Sequence, residues 1–131
     1  MPSTAYVDTS VLGRVLLGES DGGAIRRDLQ RFERRIASRL LGVELRRVGR
    51  REGALEDAER LLENVVLLPI DERTLTAAEA VPPSTVGTLD AIHLATALRL
   101  AAADELDALM TYDKQLANAA REHGIEVISP S

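Results

Sequence analysis

Five short apolar runs recur along this chain, separated by helix-length stretches. They are Thr4–Asp8, Ile36–Ser38, Val65–Ile70, Ala108–Thr111 and Ile125–Ile128. Apolar runs of strand length suit strands covered on both faces, and strands divided by helices pair in parallel. The expected fold is therefore α/β, with three α/β/α layers around a central, mainly parallel sheet of about five short strands. Right-handed crossovers bring the C-terminal ends of such strands to one edge. Sites in open α/β sheets lie at that edge, where the strand order reverses.

The stretches between the runs carry helix signals. Ser10 is expected to cap a helix running to about Gly18. Asp21-Gly22-Gly23 reads as a turn, and Ala24–Arg35 as a helix with Ile25, Leu29 and Phe32 on one face. Leu40–Arg51 places Leu41, Leu45 and Val48 at i, i+4 and i+7 and ends near Gly53, although Gly42 and Gly49 blur its limits. Ala54–Asn64, Glu72–Ala80 behind Asp71, and Lys114–Glu122 before Gly124 are further helices. Thr88 or Asp90 opens another, which reaches about Ala102 and is apolar on most sides. Pro82–Pro83 lies in a short link and does not read as a boundary. A chain of 131 residues is most simply one domain, 1–131, with a sizeable core.

Composition removes several functions. With no cysteine there are no disulfides, thiolate nucleophiles or cysteine–zinc sites, which fits a reducing cytoplasm. Met1–Ala5 has no basic leader before an apolar stretch. Charged residues interrupt Ala91–Met110, so neither a signal peptide nor a membrane span is expected. The net charge of −5 argues against simple coating of nucleic acid, but it hides a partition. Arg26–Arg51 holds ten Arg against Asp28, Glu33 and Glu44, a local +7, and leaves −12 elsewhere. A basic region beside an acidic remainder can face a polyanion while acids hold a metal. It can equally be a solvated helix face. The only aromatics are Tyr6, Phe32 and Tyr112, so Arg contacts to a backbone would outweigh base stacking. Arg14, Arg46, Arg47 and Arg50 are the candidates.

Four acids stand out against this frame. Asp8 closes the first strand, Glu44 lies on the inward boundary of a basic helix, Asp90 opens the apolar helix, and Asp113 follows the fourth strand. Gathered at one sheet edge they would repel, and a divalent cation relieves such repulsion. Carboxylates holding one or two hard cations can activate a water against a phosphodiester. Ser10 and Thr111 are placed to orient them from behind. Each acid also has a local reading. Asp8 can be a turn residue, Asp90 a helix-dipole acid, Asp113 the cap of the last helix, and Glu44 the partner of Arg47 at i+3. His93, one turn past Asp90, reads more readily as a buried, satisfied histidine than as a ligand or base.

Four segments together resemble the PIN-domain family and, within it, the VapC-type toxins of bacterial toxin–antitoxin pairs. They are Tyr6-Val7-Asp8-Thr9-Ser10-Val11-Leu12, Ser38 to Arg46 with Glu44, Leu89-Asp90-Ala91-Ile92-His93-Leu94-Ala95-Thr96-Ala97, and Met110-Thr111-Tyr112-Asp113. The resemblance implies a metal-dependent endoribonuclease using Mg2+ or Mn2+. Asp8, Glu44 and Asp90 match its core acids, Asp113 its more variable fourth acid, and Thr111 its hydroxyl position. It also implies an RNA substrate, a homodimer and silencing by a small cognate antitoxin of VapB type.

Two other readings remain. A receiver-like signalling module would use Thr111 and an acid pocket. It needs paired acids after the first strand and a Lys after the last, where Ser129-Pro130-Ser131 stand instead. A haloacid-dehalogenase-like phosphatase wants a second Asp at position 10, which is Ser10. The second remaining reading is a catalytically silent binding protein with the PIN fold, acting only through its partner.

Overall fold

The computed structural model describes residues 3–131. Met1 and Pro2, the first residues of the segment inspected for a leader, lie outside the described residues. The elements run β1 (Thr4–Val7), α1 (Thr9–Leu16), α2 (Gly22–Gln30), β2 (Arg34–Ser38), α3 (Arg39–Arg51), α4 (Leu55–Leu62), β3 (Val66–Leu68), α5 (Glu72–Ala80), α6 (Thr88–Ala102), β4 (Ala108–Met110), α7 (Lys114–Glu122) and β5 (Val127–Ile128).

All strand pairs are parallel, in the order β3-β2-β1-β4-β5. Helices α1 to α4 pack among themselves, as do α5 to α7, forming a layer on either side of the sheet. The three-layer α/β/α expectation holds. The chain steps outward from β1 through β2 to β3, then returns across the sheet to β4 beside β1. The order therefore reverses between β1 and β4, and the crevice beyond their C-terminal ends is the switch point. Receiver modules have the order 2-1-3-4-5, so this topology removes that reading. Asp8 follows β1 and Asp113 follows β4, so both acids flank the crevice.

The core explains this arrangement. Ala5, Tyr6, Val7, Leu109 and Met110 are at most 1% exposed, as strands covered on both faces require. The edge strand β3 differs, with Val66 53% exposed. Helix α6 buries His93, Leu94, Ala95, Thr96, Ala97 and Leu100, which accounts for its weakly amphipathic sequence.

Some expected boundaries moved. Asp8, not Ser10, caps α1, by accepting the Ser10 N–H. Gly22 and Gly23 form the first turn of α2 instead of a separate turn. Helix α2 stops at Gln30, and Arg34–Arg35 belong to β2, in register with Thr4 and Ala5. The Arg35 guanidinium takes the carbonyls of Leu29, Phe32 and Asn64, so these polar tips close the α2 terminus while their backbone extends the sheet. Gly49 is required inside α3: a Cβ there would stand 3.0 Å from Ala58 Cβ and 3.1 Å from Leu55 Cα of α4.

Candidate active site

The site is assembled from β1, α1, α3, α6, β4 and the N-terminus of α7. Asp8, 5% exposed, holds its carboxylate through one oxygen. Oδ2 accepts Ser10 Oγ at 2.7 Å, Thr111 Oγ1 at 2.8 Å and the Ser10 N–H at 3.4 Å. Those hydroxyls are themselves set by the backbone: Ser10 Oγ accepts the Tyr112 N–H and Thr111 Oγ1 accepts the Asp113 N–H. The loop after β4 is thus tied to the loop after β1, and Ser10 and Thr111 stand behind Asp8. Asp8 Oδ1 has no hydrogen bond among the described residues.

Glu44 is half-buried and makes no ion pair with Arg47 among the described residues. Its Oε1 accepts Thr9 Oγ1 at 2.7 Å and lies 2.8 Å from His93 Nε2. Burial works against its ionisation, but the bonds from His93 and Thr9 outweigh it and hold the carboxyl below the ordinary range. Oε2 has no partner among the described residues. Asp113 serves two ends. Its Oδ1 caps α7 through the Leu116 N–H at 3.0 Å, while its charge also acts on Asp90. Asp90, on the first turn of α6, is pushed up from 3.8 to about 6 by burial, then by the charges of Asp113 and Asp8, against a smaller opposing effect of His93.

The structure therefore brings all four acids to one end of the sheet, with Ser10 and Thr111 beside Asp8. They do not converge fully. Among the described residues, no three His, Cys, Asp or Glu side chains form a ready-made metal cage. Burial and the neighbouring charges of Asp113 and Asp8 together disfavour ionisation of Asp90. In donor chemistry the set fits a hard divalent cation, since it offers only carboxylate oxygens, several of them unpartnered.

Thr9 and Tyr6 were not singled out for the site from sequence, and His93 was read as structural. Thr9 lay in plain view between Asp8 and Ser10, but nothing in its spacing points to a residue 35 positions away. His93 is indeed buried and satisfied, at 1% exposure, yet it is satisfied by a site acid. Of the arginines named for nucleic acid, Arg14 is held by Asp21 and Glu19 and lies 4.0 Å over the Tyr112 ring. Arg46 pairs with Glu59. Arg47 and Arg50 have no ion pair among the described residues.

Comparison with known proteins follows the same line. Residues 5–128 match the PIN domain family. Ribonuclease VapC46 of Mycobacterium tuberculosis (strain ATCC 25618 / H37Rv) is 38% identical over 128 residues, covering 96% of this chain and 97% of that protein. Ribonuclease VapC47 of Mycobacterium tuberculosis (strain CDC 1551 / Oshkosh) is 38% identical over 132 residues, covering 95% and 96%. A chain of a toxin-antitoxin complex from Klebsiella pneumoniae superposes with a TM-score of 0.75 at 18% identity, over 97% of this chain and 98% of that one, and so shares the fold. With the acids at the switch point and a match from β1 to β5, the chain belongs to the PIN-domain family, among its VapC-type members.

Proposed function

We propose that this chain is an endoribonuclease, the toxin of a toxin–antitoxin pair, that hydrolyses RNA phosphodiester bonds with Mg2+ or Mn2+ at Asp8, Glu44, Asp90 and Asp113. The observation that carries the reading is the acid cluster at the β1/β4 crevice. Four carboxylates from four elements face one end of the sheet there, and burial, with the nearby charges of Asp113 and Asp8, holds Asp90 up to about 6. Relatives of nearly the same length, named as VapC ribonucleases, support it. A divalent cation, when bound, supplies Lewis-acid stabilisation of the phosphodiester transition state and acidifies the attacking water. The chain's own residues prepare that centre. Ser10 and Thr111 aim Asp8, Thr9 and His93 hold Glu44, and the α7 cap fixes Asp113. Arg47 and Arg50 offer unpaired charge for an RNA backbone.

The partners follow the same reading: a small antitoxin of VapB type that silences the site, a second copy of the chain as homodimer, and a cytoplasmic location. No helix among the described residues is long and apolar enough to cross a membrane.

The test is cleavage of total cellular RNA by the purified protein with Mg2+ or Mn2+, and with EDTA as control. Cleavage that stops with EDTA and is absent from Asp8→Asn and Asp90→Asn supports the reading. Undiminished cleavage by either variant sinks it. The open spacing of the acids favours a second reading, the catalytically silent binding protein, and the absence of cleavage under every metal condition would select it.

A further inference from the structure

The buried network behind Glu44 runs through His93 to Tyr6, a group that the proposed chemistry leaves without a duty. Tyr6 is fully buried in β1. Its hydroxyl oxygen accepts the Ser38 N–H at 3.0 Å, so its own hydrogen must go elsewhere. His93 Nδ1 stands 2.6 Å away, with the ring edge-on to Tyr6 at 79°. The Glu44 carboxylate can only accept, so the hydrogen between it and His93 sits on Nε2, and in the neutral ring Nδ1 then carries none and accepts from Tyr6. Nε2 lies 2.8 Å from Glu44 Oε1 and 3.8 Å from Asp8 Oδ1. Burial pushes the Tyr6 hydroxyl well above its ordinary range, so it stays a donor.

We infer that His93 is a positioning residue, held by Tyr6 in its Nε2–H tautomer so that it fixes the Glu44 carboxylate beside Asp8. The inference rests on the function proposed above, in which Glu44 serves a divalent cation. Thr9 and His93 both donate to Oε1, which leaves Oε2 free. The ring N–H also stands between two carboxylates and offsets their repulsion. The other neutral tautomer would turn a lone pair toward Glu44 and drive it out of the cluster. A glutamate loose on α3 has several rotamers and would have to be ordered at each binding event. Groups that orient metal-binding carboxylates from behind are commonly worth tenfold or more in metal affinity.

The test separates this role from mere packing. In His93→Gln the side-chain amide nitrogen can take the place of Nε2 and still donate to Glu44. In His93→Asn the amide reaches only the Nδ1 position and leaves Glu44 unheld. Mn2+ binding measured by calorimetry is expected to weaken about tenfold or more in His93→Asn, while His93→Gln stays near the wild-type value. Thermal unfolding of the metal-free proteins checks that both fold. A nitrogen-correlated NMR spectrum of the metal-free wild type, taken above neutral pH, is expected to show His93 protonated at Nε2 alone. Protonation at Nδ1, or equal loss of Mn2+ affinity in the two variants, overturns the inference. A wild-type chain that binds no Mn2+ would overturn the proposed function instead, so the two failures are distinct.

Discussion

Half-buried beside Asp113 and Asp8, Asp90 keeps its proton up to about 6, against 3.8 for an unperturbed Asp. A carboxyl whose folded pKa is raised contributes stability that is fully present below 3.8 and lost as pH rises through about 6. The metal-free protein is therefore expected to lose stability across that window, as measured by thermal unfolding over a pH series. Glu44 runs the other way: its lowered carboxyl adds stability above its unfolded value and loses it only at more acid pH. Asp90→Asn should flatten the slope and raise the melting temperature of the metal-free protein at neutral pH while abolishing cleavage. A destabilised functional group has this signature. A pH series in Asp90→Asn that matches wild type would show that another group sets the slope. Thr111 is a second residue with two duties, donating to Asp8 and accepting from the Asp113 N–H. Thr111→Val is expected to cost about 1–3 kcal/mol in chemical denaturation, because it leaves buried partners unsatisfied. The hydroxyl and acid types at these positions could be read from sequence. Which oxygen each one meets could not.

At the scale of elements, two helices show how local signals mislead. Helix α3 carries Gly49 in its interior, which ordinarily weakens a helix by about 1 kcal/mol relative to Ala. Here the glycine lets α4 approach closely, and a Cβ would press on Ala58 and on the Leu55 backbone. Gly49→Ala is expected to be destabilising by about 1 kcal/mol net, since overpacking of this kind costs roughly 1–3 kcal/mol. Urea unfolding decides the sign, and a stabilised variant would show that α4 can move aside. Helix α7 separates structure from function in a single residue. Asp113→Asn keeps an N-cap for Leu116 and removes a charge, so it should impair cleavage at near wild-type stability. Asp113→Ala should add a loss of about 1 kcal/mol from the missing cap. The helix interiors were legible because their apolar periods are strong. The start of α2 was not, because two glycines signal a turn and a helix start alike. Nor was the start of β2, where Arg34 and Arg35 extend the sheet through their backbone.

For the whole molecule, the acid cluster links stability to the ion. A cation bound only by the folded state should stabilise it by about 2.7 kcal/mol at a hundredfold excess over Kd. The expected outcome is a melting temperature higher by roughly 10 °C with Mn2+, reversed by EDTA and absent in Asp8→Asn. An unchanged melting temperature in wild type would count against the metal site. The sequence alone determined the layered α/β class, the five strands and the order of the four acids. These rest on hydrophobic runs and on residue types at strand and helix ends, all local properties. The tertiary structure decided the rest. The reversal of strand order between β1 and β4 depends on which strands pair, which no single segment encodes. The Tyr6–His93 contact spans 87 positions and the His93–Glu44 contact spans 49. Side chains that far apart leave no spacing to read, and they become neighbours only when the sheet closes and packs α6 against α3.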